Sequence, residues 1–190
     1  MMRQLFIRQT PGLLNGVRPV LDHHHQSVYL LSGQFGWSRA QMIASTPAGK
    51  ILAEAKQLSL GIMPKFALLY NNKEVGAVSR SLGFWREVVY IRGLNWLIMG
   101  NLVAGKYKIY HGTHVVAAMS TVAGTDGDYQ QVSVTNHSAE PVCLLIAAIM
   151  DRWAKQKSRR LNHQRASRLA REPKLLGPEY HKLPTSLRKN

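Results

Sequence analysis

One stretch of the sequence decides the fold: Glu140-Pro141-Val142-Cys143-Leu144-Leu145-Ile146-Ala147-Ala148-Ile149-Met150-Asp151. The nine residues from Val142 to Met150 are all apolar, whereas a membrane helix needs about 18 or more. Asn136 offers a helix N-cap, and Glu140 and Pro141 suit a first helical turn. A buried strand is the alternative, but the cap, the length and the scarcity of β-branched residues favour a helix. Because a helix that is apolar on every face must be surrounded by protein, we predict a buried central helix over residues 138–153.

The residues before this helix repeat one hairpin pattern four times. Each copy consists of a β-rich run, a polar turn and a second β-rich run, with turns at 22–26, 45–49, 71–74 and 111–114. Asn, Asp, Gly and Pro are typical of such turns because they tolerate or preset the required backbone dihedrals. The arms are rich in Val, Ile, Leu and Tyr, as half-buried strands are.

More strand-like runs occur at 87–92, 96–99 and 129–134, and an Asp126-Gly127 turn signal precedes the last of them. Short strands without interleaved helices favour antiparallel pairing. A sheet of about twelve such strands normally curls and closes, which removes its exposed edges. The predicted fold class is therefore mainly β: a closed antiparallel β-barrel of about twelve strands around one buried hydrophobic C-terminal helix.

Charge is distributed unevenly along the chain. The 190 residues carry a formal net charge of +15, and residues 152–190 hold 12 Lys or Arg against 2 Asp or Glu. We therefore predict a barrel domain over residues 1–155 and a basic C-terminal tail, partly helical or disordered, over residues 156–190. Cys143 is the only cysteine, which excludes an internal disulfide and favours a reducing, cytoplasmic compartment. The apolar run from Leu5 to Ile7 is too short for a signal peptide, and no transmembrane segment is expected.

Six short stretches have the order and spacing of one known family. They are Val28-Tyr29-Leu30-Leu31-Ser32-Gly33, Gly49-Lys50-Ile51-Leu52-Ala53-Glu54, Trp96-Leu97-Ile98-Met99-Gly100, Lys106-Tyr107-Lys108-Ile109-Tyr110, Val116-Ala117-Ala118-Met119-Ser120 and the apolar run Leu144 to Asp151. Through these stretches the chain resembles, over about residues 3–155, the LURP-one-related family. The fold of that family is tubby-like and is related to the fold of the phospholipid scramblases.

The resemblance implies a barrel of about twelve strands filled by a hydrophobic C-terminal helix, which agrees with the residue patterns. It transfers no catalytic motif to this chain. The tubby branch is known for binding phosphoinositide lipids and the scramblase branch for membrane association, so the resemblance implies a role at lipid. No lipid-binding residue of the tubby branch maps onto a definite position here, and the basic extension after Trp153 departs from the usual family end.

No sequence motif organises catalysis or cofactor binding. Cys143 lies within the apolar helix, where a thiol is inert, and the sequence contains no nucleophile elbow, P-loop or dinucleotide-binding glycine motif. The run His23-His24-His25 could supply metal ligands, but adjacent strand residues point to opposite faces and no Cys or Glu cluster accompanies them. We therefore expect an exposed turn at this run, and no catalytic residue, cofactor or metal.

Two basic segments are candidates for contact with an anionic surface. The loop at 79–86 combines arginines with aromatic residues, which suits a membrane interface; a barrel-capping loop is the alternative. The start of the tail is attracted to anionic lipid and equally to nucleic-acid phosphates; a solvated tail is the alternative. The predicted contact residues are Arg80, Trp85, Arg86, Lys155, Lys157, Arg159 and Arg160.

Three functional hypotheses follow. The first is a non-enzymatic cytoplasmic barrel that associates peripherally with anionic phospholipid at the inner membrane face. The second is a protein-interaction scaffold that uses the outer face of the barrel, and the third is a nucleic-acid accessory acting through the tail. Sequence-specific nucleic-acid recognition is not expected, because neither stacking aromatics nor a base-reading motif accompanies the tail.

Overall fold

The fold is described by a computed structural model covering residues 2–9, 16–34, 40–59, 64–79, 88–101 and 104–169, without the side chains of Gln34 and residues 156–169. The described residues form twelve strands and one long helix. The strands are β1 Arg3–Arg8, β2 Gly16–Leu21, β3 Ser27–Gln34, β4 Gln41–Ser45, β5 Ile51–Gln57, β6 Lys65–Tyr70, β7 Lys73–Ser79, β8 Val88–Arg92, β9 Trp96–Asn101, β10 Lys106–His111, β11 His114–Gly124 and β12 Gly127–Val134.

The twelve strands form a closed antiparallel barrel in which each strand pairs with its neighbours in sequence. The ring closes where β1 pairs with β12, from Arg3 opposite Val134 to Arg8 opposite Tyr129. The predicted fold class is confirmed, and the four predicted hairpins are β2–β3, β4–β5, β6–β7 and β10–β11. The closing strand β1 was not among the predicted strands.

The helix begins where the sequence predicts. The side-chain oxygen of Asn136 accepts a hydrogen bond from the backbone N–H of Ser138 at 3.0 Å, a short 3₁₀ turn spans His137–Ala139, and α1 runs over Glu140–Leu169. Among the described side chains, the buried part of α1 ends at Trp153, in agreement with the predicted end at about residue 153, and the helix continues for about four more turns into the segment predicted to be a partly helical or disordered tail. Residues 154–169 are mostly good helix formers and contain neither Gly nor Pro, so nothing in the sequence stops the helix there.

The apolar part of α1 is enclosed by the barrel. Every residue from Val142 to Met150 is at most 8% exposed, and all of them belong to one hydrophobic core with buried residues from all twelve strands. Cys143 lies in this core, and burial raises the pKa of its thiol. By proximity of its residues the chain divides into two units, Met1–Ser158 and Arg159–Asn190. The barrel and the buried part of α1 belong to the first.

Glycine is required where β7 meets the turn between β8 and β9. Gly93 has φ +93°, and a Cβ there would lie 2.6 Å from the carbonyl oxygen of Val75 and 2.8 Å from the Cα of Gly76. These neighbours are backbone atoms and cannot yield as a flexible side chain would. The close approach of the two backbones therefore depends on the missing side chain.

We expect Gly93→Ala to lower the free energy of unfolding by about 2–3 kcal/mol, from the left-handed backbone and the steric overlap together. Urea denaturation followed by circular dichroism measures the change. Gly112→Ala is the matched control, because Gly112 has φ +59° but no atom within 4 Å of the added Cβ. Equal losses in the two variants would contradict the steric argument.

Candidate functional site

The outer face of β8, β9 and β10 is the candidate site. Along β8, Val89 and Ile91 are buried, whereas Val88, Tyr90 and Arg92 alternate with them and are exposed. The register of the strands places outward-facing residues of β8, β9 and β10 in rows across the sheet. Val88 pairs with Met99, which pairs with Lys108; Tyr90 pairs with Leu97, which pairs with Tyr110.

These rows place exposed apolar side chains side by side. Val88 is 41%, Tyr90 53% and Met99 45% exposed, and directly opposed residues in a sheet lie within contact distance. A monomeric soluble protein rarely leaves such a contiguous patch without a use for it. We call Val88, Tyr90, Leu97 and Met99 the apolar patch.

Cations border the apolar patch. The exposed residues are Lys65 on β6, Arg92 on β8, and Lys106 and Lys108 on β10. Strands β8, β9 and β10 contain no Asp or Glu. Within the described part of the chain, none of the four cations takes part in an ion pair, so their charge is available to an external anion.

A groove opens at the seam between β7 and β8. Among the described residues these strands pair at Ala77–Arg92 and Val78–Ile91 only, so they separate beyond Val78 towards Ser79 and Val88. The groove has a volume of about 300 Å³ and is lined by Lys65, Ala77, Ser79, Val88, Val89, Tyr90 and Arg92. Its lining thus combines two cations with an apolar wall that continues into the apolar patch.

Only one of the predicted contact residues has a described side chain. Lys155 donates to Asp151, with Nζ 2.7 Å from Oδ2, one turn away on α1. Lys157, Arg159 and Arg160 belong to α1, but their side chains are not described. The predicted loop contacts Arg80, Trp85 and Arg86 lie outside the described residues; their segment joins Ser79 to Val88, which both line the groove.

The residues of the apolar patch and its cationic border were not predicted from the sequence. A signal was present in the Val88-Val89-Tyr90-Ile91-Arg92 run, where large apolar residues occupy both faces of a strand. One of the two faces must then be exposed or covered by a partner. The run alone could not show which residues of other strands lie beside that face.

The three histidines occupy the turn between β2 and β3, and all three are exposed, as predicted. Asp22 holds this turn, because its Oδ1 accepts the backbone N–H of His24 at 2.8 Å and that of Gln26 at 3.0 Å. Over the described ranges, no group of three or more His, Cys, Asp or Glu side chains is arranged to hold a metal ion.

A second polar cluster fixes the start of α1. Glu140 is completely buried, and its Oε2 accepts hydrogen bonds from Tyr29 Oη at 2.7 Å and from Arg3 Nη1 at 3.1 Å. His137 Nδ1 lies 2.9 Å from the same oxygen. Burial, followed by the hydrogen bond to Glu140, raises the pKa of Tyr29. We call these four residues the helix-start cluster; it connects β1 and β3 to the helix.

Fold and surface together define a closed twelve-stranded antiparallel barrel with a central helix and a cation-bordered apolar patch. The chain is similar to "Uncharacterized protein YxjI" of Bacillus subtilis (strain 168), with 23% identity over 150 residues, 79% of this chain and 93% of that protein. No family model matches the chain, and no solved structure matches it. In the part of the chain that the structure describes, no helix has the length and apolar character needed to cross a membrane.

Proposed function

We propose that this protein is a non-enzymatic binding protein that associates peripherally with anionic phospholipid at the inner membrane face. The observation that carries the proposal is the apolar patch of β8 and β9, bordered by cations that form no ion pair with any described residue. A phospholipid surface offers the complementary pair of features, an anionic headgroup layer above an apolar layer.

The groove between β7 and β8 suits one part of such a surface in particular. Lys65 and Arg92 can hold a phosphate oxygen by charge-assisted hydrogen bonds, while Val88 and Tyr90 contact the glycerol and upper acyl region. Tyrosine favours this level of a membrane because its ring is apolar and its hydroxyl is polar. The hydroxyl of Tyr90 donates to Asn95 Oδ1 at 2.7 Å, which holds the ring in place at the surface.

Three features of the sequence support the same proposal. The chain resembles the LURP-one-related family, and the related tubby-like and scramblase branches act at lipids. The loop with Arg80, Trp85 and Arg86 is covalently joined to both sides of the groove, and the basic tail adds long-range attraction. Each Lys or Arg near an anionic leaflet contributes about 1 kcal/mol, so the four border cations are sufficient for a reversible peripheral contact.

We expect the full-length protein to float with vesicles of equimolar phosphatidylcholine and phosphatidylglycerol, but not with pure phosphatidylcholine vesicles. Lys106→Glu/Lys108→Glu should lower the partition coefficient about tenfold or more, because each reversal removes an attraction and adds a repulsion. Tyr90→Ser/Met99→Ser should weaken the same binding. Raising the salt concentration to 0.5 M should weaken the charge-dependent part of vesicle binding by the unmodified protein.

Matched controls come from other faces of the barrel. Ile51 is 47% exposed and Val17 64%, so Ile51→Ser/Val17→Ser removes comparable exposed apolar surface outside the patch. Lys50→Glu/Lys73→Glu makes the same change in net charge at exposed turn and strand positions. Lys157→Gln/Arg159→Gln/Arg160→Gln measures the tail. The proposal fails if both vesicle types recover equal amounts of protein, or if the control pairs weaken binding as much as the patch variants.

A further inference from the structure

A second concave site lies on another side of the barrel, beside the histidine turn. It has a volume of about 280 Å³ and includes residues of β1, of the β2–β3 turn and of the β11–β12 hairpin. Four rings line it, from Phe6, His23, His25 and Tyr129. Two carboxylates complete the polar part of the lining, those of Asp22 and Asp126. We call this the acidic pocket.

The acidic pocket contrasts with the remainder of this basic protein. Its described lining contains no Lys or Arg, although the chain carries a formal net charge of +15. The guanidinium of Arg8 contacts the β11–β12 hairpin: Nη2 donates to the carbonyl oxygen of Asp126 at 2.6 Å, and Nη1 lies 3.6 Å from Oδ2 of the same aspartate.

Both carboxylates are held in the ionised form. The backbone hydrogen bond from Gln26 lowers the pKa of Asp22 most strongly. The hydroxyl of Tyr129, 2.8 Å from Oδ1 of Asp126, is the largest cause that lowers the pKa of that residue. The sequence does not show this arrangement, because Asp22 and Asp126 are 104 positions apart.

We propose that the acidic pocket binds an organic cation, an ammonium group carried on a small aromatic or apolar body. Asp22 and Asp126 supply the charge that attracts the ammonium group. The faces of Tyr129 and Phe6 supply apolar contact and cation–π attraction. A few converging polar groups on an otherwise apolar concave surface are typical of small-molecule sites.

The charged groups around the pocket are the carboxylates of Asp22, Asp126 and Asp128 and the guanidinium of Arg8, which together are negative. A permanent positive charge introduced at the histidine turn would oppose the binding of a cation.

The test uses the full chain and three probes with one phenyl ring and different charge: phenethylammonium, 2-phenylethanol and 3-phenylpropionate. Each is titrated at pH 8.0 in low salt and followed by NMR, with the ring signals of Tyr129 and Phe6 as reporters. We expect phenethylammonium to bind about tenfold more tightly than the neutral alcohol, since an exposed charge contact and a cation–π contact each contribute at most about a factor of five. The carboxylate should not bind.

Substitutions assign the effect to the pocket. Asp126→Asn should remove most of the preference for the cation, while its amide oxygen can still accept from Tyr129. Asp128→Asn is the control, an exposed carboxylate next to the pocket that does not line it. His23→Arg, at an exposed turn position, should abolish cation binding at pH 8.0 through a permanent positive charge. The inference is overturned if alcohol and cation bind equally, if Asp128→Asn acts as strongly as Asp126→Asn, or if the shifted signals lie elsewhere.

Discussion

Ile149→Asp is expected to leave no stably folded protein. Ile149 is completely buried near the C-terminal end of the enclosed part of α1. A carboxylate there would have no partner, and burying an unpaired charge costs far more than the roughly 5–15 kcal/mol by which a domain is stable. Protonating the carboxyl avoids the charge but leaves a polar group and a poorly filled space in the core. Far-UV circular dichroism and thermal melting of the purified protein measure the outcome.

Two controls separate the buried charge from the substitution itself. Ile149→Val keeps the side chain apolar and should cost only about 0.5–1.5 kcal/mol. Ile51→Asp places the same carboxylate at a position that is 47% exposed, and should change stability little. Leu145→Asp, one turn earlier on α1 and equally buried, should repeat the effect. A soluble Ile149→Asp variant with a cooperative melt would contradict the enclosed helix.

The enclosed helix could be predicted because its signal is local. Nine apolar residues in sequence leave a helix no face for water, and the preceding Asn136 marks where it starts. Its C-terminal end could not be predicted from the loss of apolar character at Asp151. Backbone propensity, which continues to favour helix through Leu169, determined that boundary instead.

The closing strand β1 could not be predicted from the pattern of its own residues. Leu5 and Ile7 face the core while Phe6 faces outwards, but three apolar residues between polar ones are compatible with many structures. Its identity as a strand depends on pairing with β12 more than 120 positions later, from Arg3–Val134 to Arg8–Tyr129. Such long-range pairing is specified by the whole barrel and not by the six residues of the strand.

The apolar patch and its border of cations were not predicted from the sequence for a related reason. Sequence reasoning pointed to Arg80–Arg86 and to the tail because their charges are consecutive in the chain. The apolar patch and its cations are instead assembled across strands, with Val88, Met99 and Lys108 brought into one row by register. Alternation could predict which residues face outwards, but the separation of β7 from β8 that opens the groove has no sequence signal we can identify.

Arg3→Ala is expected to lower the free energy of unfolding by about 2–3 kcal/mol, because it removes a charge-assisted hydrogen bond from the buried Glu140, although the Arg3 side chain itself is 37% exposed. Arg3 donates to Glu140, which is completely buried, and Glu140 Oε1 accepts no hydrogen bond from the described residues. Without Arg3, the carboxylate keeps only Tyr29 and the exposed His137 as partners at Oε2. Because the helix-start cluster joins β1 and β3 to α1, the loss should appear in global unfolding, as a melting temperature lower by about 2–4 °C for each kcal/mol lost.

A control on the same strand tests whether the buried charge of Glu140 causes the loss of stability in Arg3→Ala. Arg8 also pairs with a carboxylate, but both side chains of the Arg8–Asp126 pair are about half exposed, so Arg8→Ala should cost only about 0–1 kcal/mol. Arg3→Ala/Glu140→Gln should recover part of the loss, because the neutral amide needs no counter-charge in the core, and a double-mutant cycle measures this coupling. Equal effects of Arg3→Ala and Arg8→Ala, or no recovery in the double variant, would show that Arg3 stabilises the barrel by packing instead of by charge. Arg3 and Arg8 lie on the same strand, and each pairs with a carboxylate. The larger loss of stability in Arg3→Ala is expected from burial, since water is excluded from Glu140 but reaches Asp126.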